Sequence, residues 1–408
     1  MKARSPGFTE VIFMTDNCSA YRIRAMSLVC FLLCMLLLNY QASAITPLFG
    51  SPITVRIPPP STEPVAIALA DLNQDGKADM VTASYCADFA CQTGVINVFI
   101  SGRKGRFKRP VQYLANAHPL TMQVADVNGD GRMDILVVNE GCGCVQVFLG
   151  NGDGTFQPPL NSVLGAGINL AIADFNGDGR MDLALGVTFD VFEEKGGVVV
   201  ALGNGDGTFH AVSSIIETGL FPFGIAAADF NGDKNTDVAV TSSQHGNVDI
   251  LLGDGQGGLV NSGSFHVGPS NQLTAADING DGRMDLAIAS EGALRIAYGN
   301  GDGTFQRSIP LTAGPGSQPS DVIAGDFDGD GRLDLAVSDQ GFGLVVYLNQ
   351  SNGTFKKQIF STTNNGPGGL ASGDLNHDGK LDIVVLPSSG GDSVNVFLNT
   401  GGTSSKTP

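Results

Sequence analysis

Oxygen-bearing side chains recur along this chain at a spacing that would hold a hard cation. The plainest copy is DFNGDGRMD, running from Asp174 to Asp182, with acid or amide side chains at positions 1, 3, 5 and 9 and Gly179 at position 6. Four hard oxygen donors at alternating positions, turning about a glycine, make a calcium cradle. A set without Cys or His argues against zinc and copper. The stretch occurs seven times. The candidate ligands are Asp71, Asn73, Asp75 and Asp79 in the first copy, and Asp126, Asn128, Asp130 and Asp134 in the second. Asp174, Asn176, Asp178 and Asp182 form the third, and Asp229, Asn231, Asp233 and Asp237 the fourth. Asp277, Asn279, Asp281 and Asp285 follow, then Asp326, Asp328, Asp330 and Asp334, and last Asp374, Asn376, Asp378 and Asp382. The position-7 carbonyls of Lys77, Arg132, Arg180, Asn235, Arg283, Arg332 and Lys380 each offer one more oxygen. Up to seven calcium ions are therefore expected.

An EF-hand begins in the same way but needs a bidentate Glu at position 12 and a following helix. Position 12 here holds Thr82, Val137, Leu185, Val240, Ile288, Val337 and Val385, so that reading is excluded. A single stretch of this kind reads equally well as an Asx-rich turn without metal. Seven copies with the same four positions filled favour the ion. The sites are not expected to be equal. Asp326, Asp328, Asp330 and Asp334 form the one copy with four carboxylates, which should tighten calcium binding. The fourth copy has Lys234 where the others have glycine. A left-handed backbone strains any residue with a Cβ, so this site is expected to be the weakest.

The elements that position these loops follow the same grammar. The first aspartates lie 55, 48, 55, 48, 49 and 48 residues apart, which marks a repeat architecture. A short apolar run precedes each loop, as in VAIALAD ending at Asp71, and another follows it, as in DILVVN from Asp134. A third run alternates, as in VQVFLG from Val145 or VNVFLN from Val394. A second turn comes next, GNGDGTF from Gly150, Gly203 and Gly299, with looser versions ending at Phe107, Leu259 and Phe355. A fourth run closes the unit. Short β-rich runs bounded by Gly, Asn and Asp read as strands joined by hairpins. Four antiparallel strands, seven times, predict an all-β seven-bladed propeller. The last repeat stops after its third strand. Phe49-Gly50-Ser51-Pro52 and the run after it resemble Phe156-Gln157-Pro158-Pro159. Residues 47–57 are therefore expected to supply the outer strand of the seventh blade and close the ring.

Composition narrows the functional classes. The chain is globular and turn-rich, with 42% hydrophobic residues and 56 glycines. Its formal charge of -17 opposes binding to nucleic acid, which needs a basic face. Arg22 and Arg24 precede an apolar run from Ala25 to Leu38, and Ala42-Ser43-Ala44 supplies a cleavage-type sequence. Residues 1–44 are read as a signal segment, 45–399 as the propeller and 400–408 as a disordered tail. The mature chain is expected to be secreted or cell-surface, monomeric and without a membrane span. It would keep Cys86, Cys91, Cys142 and Cys144, an even number that favours disulfides in an oxidising compartment. A bridge across the single residue between Cys142 and Cys144 is expected to be strained. Cys86 and Cys91 could bridge within one loop, and a crossed pairing between the two loops stays open.

The two signatures together, Asp-x-Asn-x-Asp-Gly-x-x-Asp and then Gly-Asn-Gly-Asp-Gly-Thr-Phe, resemble the FG-GAP/VCBS repeats of integrin α-subunit propellers. That resemblance covers roughly residues 47–399 and implies calcium in the hairpins between the first and second strands. It also implies ligand contact at the opposite face. No Arg-Gly-Asp sequence occurs, so a receptor role does not carry over with the fold.

The loops of that opposite face vary most. Tyr85, Asp88 and Phe89 lie between Ser84 and Gly94, and Phe189 and Phe192 lie with Glu193 and Glu194 between Thr188 and Gly197. Phe221 and Phe223 lie between Glu217 and Gly224. Together these would form an aromatic-acidic binding patch, although phenylalanines more often fill gaps between blades. His118, His210, His245, His266 and His377 fall in different repeats, without a Ser or Cys nucleophile in a recognisable elbow. His377 sits at position 4 of a loop and is expected to face solvent. The sequence thus points to a non-enzymatic adhesion or recognition module for an extracellular protein or glycan. A calcium-dependent polysaccharide-active enzyme, such as a lyase, and a purely structural surface module are the alternatives.

Overall fold

The computed structural model describes residues 47–401, other than 61, 88–90, 191–194, 213, 243–245, 363–365 and 389–390. The expected signal segment (1–44) and residues 402–408 of the expected tail lie outside the described residues. Seven antiparallel sheets follow one another along the chain. Their first strands are Thr62–Ala70, Pro119–Ala125, Gly167–Ala173, Ile225–Ala228, Ser270–Ala276, Pro319–Gly325 and Pro367–Gly373. Each contacts the first strands of both neighbours, and Pro367–Gly373 meets Thr62–Ala70, so the ring closes. This is the seven-bladed propeller expected from the sequence.

The strand chemistry follows from radial position. Second strands such as Asp134–Asn139, Asp285–Ser290 and Asp382–Pro387 are buried along their whole length, because neighbouring blades cover both faces. They therefore read as continuous apolar runs rather than alternating ones. Outer strands meet solvent, as in Leu259–His266, where most residues are exposed. Seven hydrophobic clusters lie between the blades, one at each seam.

Ring closure takes the form that the sequence predicts. Ile53–Arg56 pairs antiparallel with Ser393–Phe397 and completes the seventh blade. Phe49 bridges Asn399 as Phe156 bridges Gly150 and Phe305 bridges Gly299, so the start of the described chain supplies the missing Thr-Phe position. The Phe49 ring is 1% exposed and meets Phe327, Phe360 and Phe397 edge-on at 6.3, 5.4 and 6.5 Å. Such aromatic contacts add to the area buried.

Two local features differ from the sequence reading, and a third settles a choice that it left open. The segment between Thr188 and Gly197, read as a loop, is mostly strand, because Asp182–Asp190 and Lys195–Gly203 run on past the expected ends. The outer strand of the third blade is broken into Phe209–Ala211 and Ile216–Thr218, and both pieces pair with Lys195–Gly203. The cysteines pair locally, Cys86 with Cys91 and Cys142 with Cys144, and not crosswise. The short bridge is possible because Gly143 between the partners takes φ +56°, a conformation open to glycine.

Phe49→Ala is expected to destabilise the propeller by about 3–5 kcal/mol, the usual cost of deleting a buried aromatic ring. Val163→Ala, at a position 78% exposed, should cost less than about 0.5 kcal/mol. Urea unfolding of the two variants checks the closure; equal midpoints would mean that the N-terminal strand does not hold the ring.

Candidate metal centre

Each acidic stretch joins the first strand of a blade to the second, at one end of the ring. Position 1 is the organiser of the loop. Its Oδ2 accepts the position-6 amide in all seven copies, at 2.7–2.9 Å, from Gly76, Gly131, Gly179, Lys234, Gly282, Gly331 and Gly379. Position 5 accepts the position-7 amide in every copy. Position 6 has a positive φ throughout, including +72° at Lys234. The sequence argument for strain in the fourth loop therefore meets the conformation it assumed.

Position 9 opens the second strand and is fully buried in all seven blades. One oxygen accepts the position-2 amide, as in Leu72 to Asp79 at 3.1 Å and Phe175 to Asp182 at 2.9 Å. The other accepts an amide at the end of the third strand, as in Ser101 to Asp79 at 2.7 Å and Gly203 to Asp182 at 2.8 Å. Burial pushes the carboxyls of Asp79, Asp334 and Asp382 up to about 6, against the pull of these amides. Asp134, Asp182, Asp237 and Asp285 are raised for the same reason. The exposed position-5 carboxyls of Asp178 and Asp233 are instead lowered, first by the position-7 amide.

Position 3 tests whether a cation fits. In the first five loops the Asn Oδ1 accepts the position-5 amide at 2.8–3.0 Å. In the sixth and seventh loops that bond is missing. Asp328 Oδ1 and Asn376 Oδ1 are buried oxygens without a partner. Two orphaned acceptors at the same loop position are costly unless something positive meets them. Oxygens of Asp326, Asp328 and Asp334 also lie within 4.8 Å of one another. The donor set is all oxygen and largely anionic, and it fits a hard divalent ion. Such an ion would supply positive charge that offsets repulsion among the carboxylates.

Position 4 carries a role that the sequence reading missed. It has positive φ in every loop, from +58° at Gln74 to +79° at Gly232, and is glycine in five. The two exceptions reach across a seam between blades. Gln74 Nε2 donates to the Gly131 carbonyl at 3.1 Å, and His377 Nδ1 donates to the Gly76 carbonyl at 2.8 Å. His377 is exposed, as expected, and is also an inter-blade contact. The second turn also clasps its neighbour. Gly154, Gly257 and Gly303 donate to the position-2 carbonyls of Leu72, Phe175 and Phe230 in the preceding blades.

The opposite end of the ring holds two aromatic pairs. Tyr85 stacks on His118 with centroids 4.5 Å apart, and Phe221 stacks on Phe223 at 5.8 Å. Tyr85, Phe221 and Phe223 of the expected patch therefore each sit in a stacked pair at this end. Asp88, Phe89 and Phe192 lie outside the described residues, as does the side chain of Phe189.

The FG-GAP-like repeat pattern matches residues 126–185, 189–240, 229–288, 277–337 and 338–385, more than half of the chain. The chain belongs to the FG-GAP-like repeat family. No curated protein matches it. Solved structures share the fold of this FG-GAP-like chain at low identity. An Agrocybe aegerita lectin, solved for its recognition of non-reducing terminal N-acetylglucosamine, is 22% identical with a TM-score of 0.52, covering 74% of this chain and 81% of its own. BBS1N, solved in complex with ARL6DN, is 12% identical or less with a TM-score of 0.59, covering 87% of this chain and 98% of its own. A streptogramin B lyase is 14% identical with a TM-score of 0.54, covering 86% of this chain and 97% of its own.

Two outcomes follow from the loop geometry. A carboxyl raised from 3.8 to about 6 favours the fold fully below 3.8, and that contribution is lost as pH rises through about 6. In chelator the melting temperature is therefore expected to fall between about pH 5 and about pH 7. In excess calcium it should hold or rise, because the ion takes the place of the proton. Scanning calorimetry in both buffers checks this, and parallel profiles would count against an ion. Lys234→Gly should relieve about 1–2 kcal/mol of backbone strain, less about 0.4–1 kcal/mol of added unfolded-state entropy. A small net gain in urea stability is expected, with tighter calcium binding by isothermal titration.

Proposed function

We propose that this FG-GAP-like propeller is an exported, calcium-stabilised recognition module without catalysis, taking a protein or glycan ligand at the end opposite the ion loops. The observation that carries the calcium is the pair of unpartnered buried oxygens on Asp328 and Asn376, at equivalent positions of two loops. Both disulfides favour an oxidising compartment outside the cytoplasm. No helix among the described residues is long and apolar enough to cross a membrane. The stacked Tyr85–His118 and Phe221–Phe223 pairs give the ligand-facing end rigid, low-entropy contact area. The Agrocybe lectin makes a glycan ligand a natural first class to test.

A second reading rests on one cluster. Glu140 hydrogen-bonds Tyr85 beside His118, which places acid and base groups together as a polysaccharide lyase would need.

Glycan and extracellular-protein arrays, probed in millimolar calcium and in chelator, test the main reading. Calcium-dependent binding that Tyr85→Ala or Phe223→Ala weakens is the expected result. Binding to nothing on either array, with a melting temperature unmoved by chelator, would end it. Release of unsaturated products from polysaccharides would move the assignment to the lyase.

A further inference from the structure

The inner strands enclose a cavity of about 470 Å³ on the axis of the ring, toward the end away from the acidic loops. That size lies within the range of about 300–1,000 Å³ usual for small-molecule sites. A local irregularity in strand register shapes its wall. In six of the seven inner strands the pairing shifts just before the first core aliphatic residue. Such bulges re-aim side chains. The residues next to the shift, among them Thr121, Asn169, Gln272 and Asp321, line the cavity.

Among the described residues Asp321 is the one ionisable group in that lining, without a lysine, arginine or histidine beside it. Its oxygens accept the amides of Val322 and Leu370, each at 2.8 Å, which fixes the carboxylate across the seam between the sixth and seventh blades. Each oxygen keeps further acceptor capacity. The neighbouring amides are partly engaged. Gln123 donates to the Leu170 carbonyl, and Asn169 donates to Gln272 and to the Phe223 carbonyl. Much of the remaining wall is aliphatic, including Leu120 and Ile168. Phe223 lines the same cavity, 38% exposed and stacked on Phe221.

The geometry points to a binding site for a small organic cation, with its ammonium group on Asp321 and its apolar body against Phe223 and the aliphatic wall. A lone carboxylate without a basic partner repels anions. One carboxylate among partly engaged amides is too few oxygens for calcium, which takes six to eight. A sugar would need several free donors and acceptors around its ring, and the Gln123 and Asn169 amide hydrogens already go to protein oxygens. Phe223 and the aliphatic wall offer apolar area to the body of such a cation. Burial pushes Asp321 up to about 6, so it is largely ionised at neutral pH and lacks a counter-charge. This site is independent of the ion loops and shares Phe223 with the outer aromatic face.

The test is isothermal titration of the full chain in calcium with choline, butylammonium and tetramethylammonium, against the uncharged isostere 3,3-dimethylbutan-1-ol. At least one ammonium probe should bind, with the isostere about tenfold weaker or more. Asp321→Asn should lose about tenfold in affinity while melting as a folded protein. Phe223→Ala, at the exposed rim, carries the same test through a severalfold loss should Asp321→Asn fail to fold. No heat with any ammonium probe, equal affinity for the isostere, or unchanged binding in both variants would overturn the site. So would binding of N-acetylglucosamine or calcium that displaces the ammonium probes and is lost in Asp321→Asn.

Discussion

A buried carboxylate, repeated seven times, is the joint on which the structure depends. The position-9 aspartate of each loop accepts one amide from its own turn and one from the far end of the third strand. It thereby fixes the loop, the second strand and the third strand to one another at a point that water does not reach. An ionised group in such a place is unfavourable unless fully satisfied. The two amides supply part of that satisfaction, and a cation in the loop would supply more. Burial pushes these carboxyls up in spite of the two amides. Structural strut and candidate ligand are the same side chain.

Around that joint the blades are tied edge to edge at both ends. At the loop end, glycine amides of the second turn reach the preceding blade, and Gln74 and His377 reach the following one. The latter two span the seams on either side of the first blade, beside the place where the ring closes. At the other end, side chains of the inner strands reach the next blade's backbone, as Gln123 does to Leu170, Asn271 to Pro319 and Asp321 to Leu370. The hydrophobic seams supply most of the cohesion, and these polar ties set the angle between blades. Because the inner strands carry them, they also decide the shape of the axial cavity.

Strand alternation separates the two ends chemically. Loops between first and second strands and those between third and fourth lie together, so all the acidic turns share one end. The variable connections, with both disulfides and both aromatic pairs, share the other. A module built in this way can change its recognition loops without disturbing the repeated joint.

Period, strand count, closure by the N-terminal segment and the left-handed position at Lys234 were all legible in the sequence. Each depends on local spacing or on one residue's backbone preference, and both survive in a linear string. Phe49 was recognisable because its neighbours repeat those of Phe156. The contacts of His377 and Gln74 were not legible, because a position-4 side chain finds its partner 301 or 57 residues away, and only the ring brings the two together. The local pairing of Cys142 with Cys144 depended on the backbone that Gly143 adopts. Asp321 looked like one more acid in an acidic chain. Seven inner strands had to converge on an axis before its place in a cavity without a basic group among the described residues could be seen.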